Sequence, residues 1–195
     1  MGALVFDETE LRKTLCWLSG RQASAFAAAC ATRLLNDVRC LHVNNPGLFP
    51  LQQAHDLMWR AVQGGGADDI TALEQQLLDV MPDEDDDDSF EVAVLEDACS
   101  AMVYAMRSLY FDNAQNAAWS ARRAYETADR FSARLLNELE YSDVTENKIL
   151  ENYVVQREIR RQARDIAFID SEVGEVSSAL NKLILLSKNE SVLEN

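Results

Sequence analysis

An all-α fold, a single-domain bundle of about seven to eight helices, is what this sequence predicts, and three observations carry the prediction. Apolar residues recur at spacings of three and four along most of the chain, which gathers them on one face of a helix. The 195 residues include only 3 prolines and 7 glycines, so long helices can run uninterrupted. No segment alternates apolar and polar residues as a half-buried strand does. The clearest helix is SFEVAVLEDACSAMVYAMRSLY, residues 89–110, where Leu95, Ala98, Cys99, Met102, Ala105, Met106 and Leu109 form one continuous face. It is the expected central helix. The run Asp85 to Asp88 precedes it, where negative charge complements the positive end of the helix dipole.

Taken in order, the first helix starts at Asp7, with Glu10 three residues on in capping-box spacing. It runs to Leu18, and Gly20 is its candidate C-cap. The second helix covers residues 21–41. Ala25, Ala28, Ala29, Thr32, Leu35 and Val38 give it a stripe of small and apolar residues that lets a neighbour approach closely. HVNNPGLF, residues 42–49, reads as a turn. Pro50 can open the third helix at its first position, and Gly64-Gly65-Gly66 ends that helix as a flexible link. A short fourth helix, residues 71–81, stops at Pro82, and the loop Asp83 to Asp88 leads into the central helix.

After a break at Asp112 and Asn113, the sixth helix spans residues 114–140. Ala118, Ala121, Tyr125, Ala128, Ser132, Leu135 and Leu139 form a heptad-like seam suited to antiparallel packing. Arg122, Arg123, Arg130 and Arg134 lie on its outer face. A seventh helix, residues 146–169, carries Ile149, Tyr153, Gln156, Ile159, Ala163 and Ile166 as its inner face. Its cluster Arg157, Arg160, Arg161 and Arg164 is the most basic spot on the chain. A last helix covers residues 171–187, and KNESVLEN, residues 188–195, is expected to fray. The whole chain, 1–195, reads as one helical domain with an acidic half (1–100) and a helical C-terminal part (113–188).

Formal net charge is −15. Residues 1–100 carry 18 acids and 6 bases, and residues 101–195 carry 15 acids and 12 bases, so the acidic excess sits in the first half. Such a surface repels nucleic acid and anionic membranes. It attracts basic proteins and speeds encounter with them. No stretch approaches the roughly 20 apolar residues of a membrane-spanning helix. MGALVFDETELRK lacks the basic and then apolar pattern of a signal peptide, so a cytoplasmic location is expected. Cys16, Cys30, Cys40 and Cys99 read as buried free thiols without disulfides.

Catalytic motifs are missing: there is no GxSxG, no SxxK, no HExxH and no ExxH. The three consecutive glycines lack the Lys-Ser/Thr of a phosphate loop. DEDDDD lacks the glycine and the ligand spacing of an EF-hand, so it reads as a solvated acidic loop able to serve as a docking surface. His42 and His55 lack the converging partners of a zinc site. No metal and no cofactor are expected. Glu96 and Asp97 are adjacent on the central helix and point about 100° apart. At most one faces the core, and it would pair with arginines of the sixth or seventh helix.

One pattern goes beyond composition. Phe26-x3-Cys30-x2-Arg33-x2-Asn36, then Asp56-Leu57-Met58-Trp59, Leu73-Glu74 through Met81-Pro82, an acidic stretch, and Glu96-Asp97-Ala98-Cys99 resemble the YjaG-like family, the bacterial domain of unknown function number 416. The resemblance covers residues 11–170. The chain departs from it in Asp85–Asp88 and near Asn44–Phe49. It implies an all-helical bacterial cytoplasmic protein and supplies no catalytic residues.

The expected function is non-enzymatic protein binding, most concretely an immunity (antitoxin-like) protein whose acidic surface neutralises a basic toxin effector such as a nuclease. The expected contacts are Asp68, Asp69, Asp83, Glu84, Asp85, Asp86, Asp87, Asp88 and Glu91. Neither nucleic acid nor membrane is an expected partner. Two alternatives remain open at this point. One is a helical enzyme or small-ligand protein with a site near Asp97, His55 and Trp59. The other is a housekeeping oligomer, a homodimer in its simplest form, that associates through an apolar helix face.

Overall fold

Short polar side chains start the helices where the sequence places them. Asp7 accepts a hydrogen bond from the Glu10 backbone N–H at 3.0 Å, Ser89 from that of Val92 at 3.3 Å and Thr145 from that of Lys148 at 3.4 Å. The protein is represented by a computed structural model that describes residues 2–41, 47–66, 69–82, 89–111, 113–138, 145–170 and 176–193. Among these, nine helices follow one another: α1 (Glu8–Leu15), α2 (Gly20–Leu41), α3 (Leu48–Val62), α4 (Ile70–Val80), α5 (Phe90–Arg107), α6 (Asn113–Glu138), α7 (Glu146–Glu151), α8 (Tyr153–Asp170) and α9 (Val176–Lys188). No strand occurs among the described residues.

Helices α2, α5 and α6 pack against one another pairwise at the centre. Alanines make this possible: Ala25, Ala28 and Ala29 on α2, Ala98 and Ala105 on α5, and Ala117, Ala121 and Ala124 on α6 are all buried. Phe26, Leu35, Met102 and Met106 fill the space around them. The close contacts also carry polar ties. The Ser120 hydroxyl donates to the Ala27 carbonyl at 3.0 Å, and the Ser108 hydroxyl to that of Ser24 at 2.9 Å. α3 packs on α2 and α5, α4 on α3 and α5, α1 lies on α6, α8 packs on α6 and α2, and α9 on α2 and α8.

Several boundaries differ from expectation. The first helix stops at Leu15, and Gly20 begins α2 instead of capping α1. A Cβ there would come within 3.0 Å of the Asn113 side chain, so this glycine serves a close approach to the start of α6. α3 opens at Leu48, two residues before Pro50, which still falls in the first turn where a missing N–H costs nothing. Gly64 adopts φ +94°, a left-handed conformation that suits glycine after a helix.

The expected seventh helix is two. Asn152 takes ψ 141° and breaks the run, and its side chain accepts from the Val154 N–H at 3.0 Å to start α8. The inner face of α8 also differs. Tyr153 and Ala163 are exposed, and Glu158, Gln162 and Asp165 are buried instead. Cys30 and Cys99 are buried free thiols as expected, whereas Cys16 and Cys40 are exposed. No described helix is long and apolar enough to cross a membrane.

Candidate functional site

The inward acids of α8 meet a fully buried arginine. Arg33 of α2 binds Glu158 through Nε at 3.1 Å and Nη2 at 2.8 Å, and Asp165 through Nη1 at 2.7 Å. Its Nη2 also lies 3.4 Å from the Cys30 sulfur. Burial alone opposes the Arg33 charge, but Glu158 and Asp165 hold the guanidinium firmly protonated. Gln162 completes the cluster, donating to Glu158 and to the Ala121 carbonyl, each at 3.0 Å.

One helical turn further along α2, Asn36 and Asp37 hold the C-terminal segment. The Asn36 amide donates to the carbonyls of Ser187 at 3.1 Å and Glu190 at 2.7 Å. The Asp37 carboxylate accepts from the Ser191 hydroxyl and from the backbone N–H groups of Val192 at 3.2 Å and Leu193 at 3.1 Å. Burial pushes the Asp37 carboxyl up to about 7, against the pull of these three donors. From α8, Arg157 donates to the Val192 carbonyl at 2.8 Å and Arg161 to that of Ser191 at 2.7 Å. Arg164 grips the Glu190 carboxylate at 2.5 and 2.9 Å. Residues 188–193, expected to fray, are therefore docked. Most of the arginine cluster of α8 is turned inward to hold them; Arg160 alone of the four is exposed.

The docked segment walls a groove. A cavity of about 700 Å³ lies between the end of α2, the start of α5, the second half of α6 and residues 188–193. Its floor is apolar: Phe90, Phe131, Leu135 and Leu193 are all half-buried. The Phe90 and Phe131 rings stand 5.8 Å apart at 34°. The Arg134 guanidinium lies 5.0 Å above the Phe90 ring, 3.3 Å from the Glu91 carboxylate and 3.0 Å from that of Glu138. Asp37 lies on the inner wall, and Cys40 and Lys188 stand on the rim.

Of the residues expected at the partner surface, Glu91 lies on this groove. Asp69 is exposed at the N-cap position of α4, where its side chain makes no cap bond. Asp68 and residues 83–88 lie outside the described residues. The alternative trio does not converge on the groove. Asp97 is fully buried and faces α6, accepting from Arg130 at 2.6 Å, Thr127 at 2.7 Å and Arg123 at 3.3 Å. This is the structural ion pair expected for the inward member of Glu96 and Asp97. On α3, His55 meets Asp56 at 2.8 Å, and burial lowers its pKa. Trp59 donates to Thr32 at 3.0 Å. Among the described residues no three His, Cys, Asp or Glu side chains cluster as metal ligands. The groove offers apolar contact beside charges of both signs, and the hydroxyl–carboxylate pair on its wall, Ser191 with Asp37, is used to hold the C-terminal segment.

The groove itself, and the roles of Asn36, Asp37, Phe90 and Phe131 in it, had no signature in local sequence, because its walls come from four separate segments. Of these four, only Asn36 falls in the family pattern.

A family model described as protein of unknown function, DUF416, matches residues 10–192 of the chain. The crystal structure of a DUF416 family protein from Shewanella baltica OS155 superposes with a TM-score of 0.74, covering 93% of this chain and 96% of that one at 18% identity. At that identity the likeness is one of fold. No curated protein matches the sequence.

Proposed function

The chain belongs to the DUF416 family, and from that premise we propose that it is a non-enzymatic binding protein whose acidic face takes a basic protein partner. One observation carries the reading: between Arg60 and Arg107 the sequence holds 13 acids and no lysine, arginine or histidine. The use of several bases elsewhere in internal ion pairs and hydrogen bonds adds to it. Arg33 is buried against Glu158 and Asp165. Arg123 and Arg130 are bound to Asp97, and Arg157, Arg161 and Arg164 hold the C-terminal segment. Exposed acids such as Asp56, Asp69 and Asp79 are left to set the field outside. A field of one sign raises the encounter rate with a partner of the other sign and repels nucleic acid.

The partner that best suits this surface is a basic toxin effector such as a nuclease, which makes the protein an immunity protein acting in the cytoplasm. The contacts are Asp68, Asp69, Asp83, Glu84, Asp85 to Asp88 and Glu91. The test is co-expression with basic proteins encoded beside it in the host. Suppression of the toxicity of one of them, with a complex that dissociates in salt, is the expected result. If no neighbouring basic protein is toxic or bound, the reading fails.

A further inference from the structure

Residues 188–193 are held the way a short peptide ligand is held. α2 and α8 reach mostly for their main chain. Asn36 donates to the carbonyls of Lys188 at 3.3 Å and Glu190 at 2.7 Å. Arg161 and Arg157 donate to those of Ser191 and Val192, and Asp37 accepts from the N–H groups of Val192 and Leu193. Main-chain bonds of this kind supply affinity whatever the sequence, and pockets for single side chains add the selectivity. Two side chains fill such places here. Val192 is fully buried. The Glu190 carboxylate sits among three guanidiniums, with Arg164 at 2.5 and 2.9 Å, Arg161 at 3.8 Å and Arg33 at 4.0 Å. Burial opposes its charge, yet Arg164, Arg33 and Arg161 hold its carboxyl below the usual range. Lys188 and Asn189 are exposed, and Glu190, Ser191 and Leu193 are half-buried. Val192 is thus the one fully buried side chain of the stretch.

We propose that residues 188–193 are a displaceable strap over a peptide-binding site on α2 and α8, and that an acidic segment of another protein takes their place there. That segment would offer a glutamate to the arginines and, two positions on, a small aliphatic side chain to the place of Val192. The strap opens while the bundle stays folded, because hydrogen bonds and ion pairs tie it down and only one of its side chains is lost fully to the core. In the closed state the chain's own Glu190 occupies the arginines. Tethered beside the site, at an effective concentration of about millimolar, it shuts out weak competitors. This occupant is distinct from the basic partner, and the proposal does not rest on that reading.

A fluorescein-labelled peptide of residues 187–193, SKNESVL, tests this by fluorescence anisotropy on two full chains. One is the wild type. The other carries Glu190→Lys and Val192→Asp, which lie on the strap alone and release it. The released chain is expected to bind the peptide at least about tenfold more tightly than the wild type, whose own strap competes. A peptide with glutamine for its glutamate is expected to bind the released chain at least about tenfold more weakly, from the loss of charge-assisted hydrogen bonds. Equal binding of the two peptides, or wild-type binding as tight as that of the released chain, would overturn the proposal. So would a released chain that binds neither peptide, or one that loses its helical circular dichroism. Hydrogen exchange on the wild type is a second measurement that needs no substitution. The Val192 and Leu193 amides are expected to exchange at least about tenfold faster than those in the middle of α2. Exchange at the α2 rate would mean that the segment opens only with the bundle, and the strap would be overturned.

Discussion

Asp37 and Ser191, separated by 154 positions in the chain, are joined by a hydrogen bond from the serine hydroxyl to the aspartate carboxylate. The contact fixes the C-terminal segment on α2 and so shapes one wall of the groove. It also makes stability depend on pH. Burial pushes the Asp37 carboxyl up to about 7 from its ordinary 3.8. An acid with a raised value holds its proton more tightly in the folded state. Its stabilising contribution is therefore full below about pH 4 and is lost as pH rises to about 7. Each unit between the two values corresponds to about 1.4 kcal/mol. Denaturant unfolding from pH 4 to 7 should show the wild type losing stability relative to Asp37→Asn. Parallel curves for the two chains would contradict this.

Arg33 neutralises two buried carboxylates at once. Replacing it with alanine leaves Glu158 without a cation and Asp165 with Arg164 alone, and a broken buried pair costs about 3–5 kcal/mol. Arg33→Lys keeps the charge but loses the two-pronged grip on Glu158, so a smaller loss is expected. Urea unfolding measures both. A loss for Arg33→Ala below about 1 kcal/mol would mean that the cluster is not the tie between α2 and α8.

Asp97 is a structural residue on this account. Asp97→Ala strands Arg123 and Arg130, both partly exposed, so the expected cost is about 1.5–3 kcal/mol, in the range of hydrogen bonds to charged groups. Affinity of the folded variant for a basic partner should match that of the wild type. A folded Asp97→Ala chain with abolished binding would return attention to a site at that residue.

The cysteines should separate into two classes. Cys16 and Cys40 are exposed and should react with a thiol reagent in the native protein. Burial pushes the Cys99 thiol up to about 12, and burial raises that of Cys30 as well, so both should react only on unfolding. Fast labelling of more than two thiols per native chain would contradict the packing of α2 and α5.

The helices were legible because each carries its own periodic apolar stripe. Ser89 and Asp7 mark starts with side chains that cap within three residues. What escaped sequence reading depends on distant partners. The break at Asn152 involves neither glycine nor proline. On α8, Tyr153 and Ala163 read as inward-facing, because the buried role of Glu158 and Asp165 exists only once Arg33 is opposite them. The last residues looked frayed because KNESVLEN has little apolar content. Its anchors, Asn36, Asp37 and three arginines of α8, lie 30 or more positions away in most cases. Glu91 was singled out for its charge, while the aromatic floor beside it emerged only from the meeting of α5 and α6.

The most direct measurement of the central claim is the association rate of a basic partner captured from the native host, followed against salt. It is made for the wild type and for a chain with Asp83 to Asp88 neutralised as Glu84→Gln and five Asp→Asn changes. The acidic-face account predicts a wild-type rate that falls by roughly tenfold or more from low to high salt, and a neutralised chain that is slower at low salt and nearly flat. Rates that are the same for the two chains, and unmoved by salt, would contradict it.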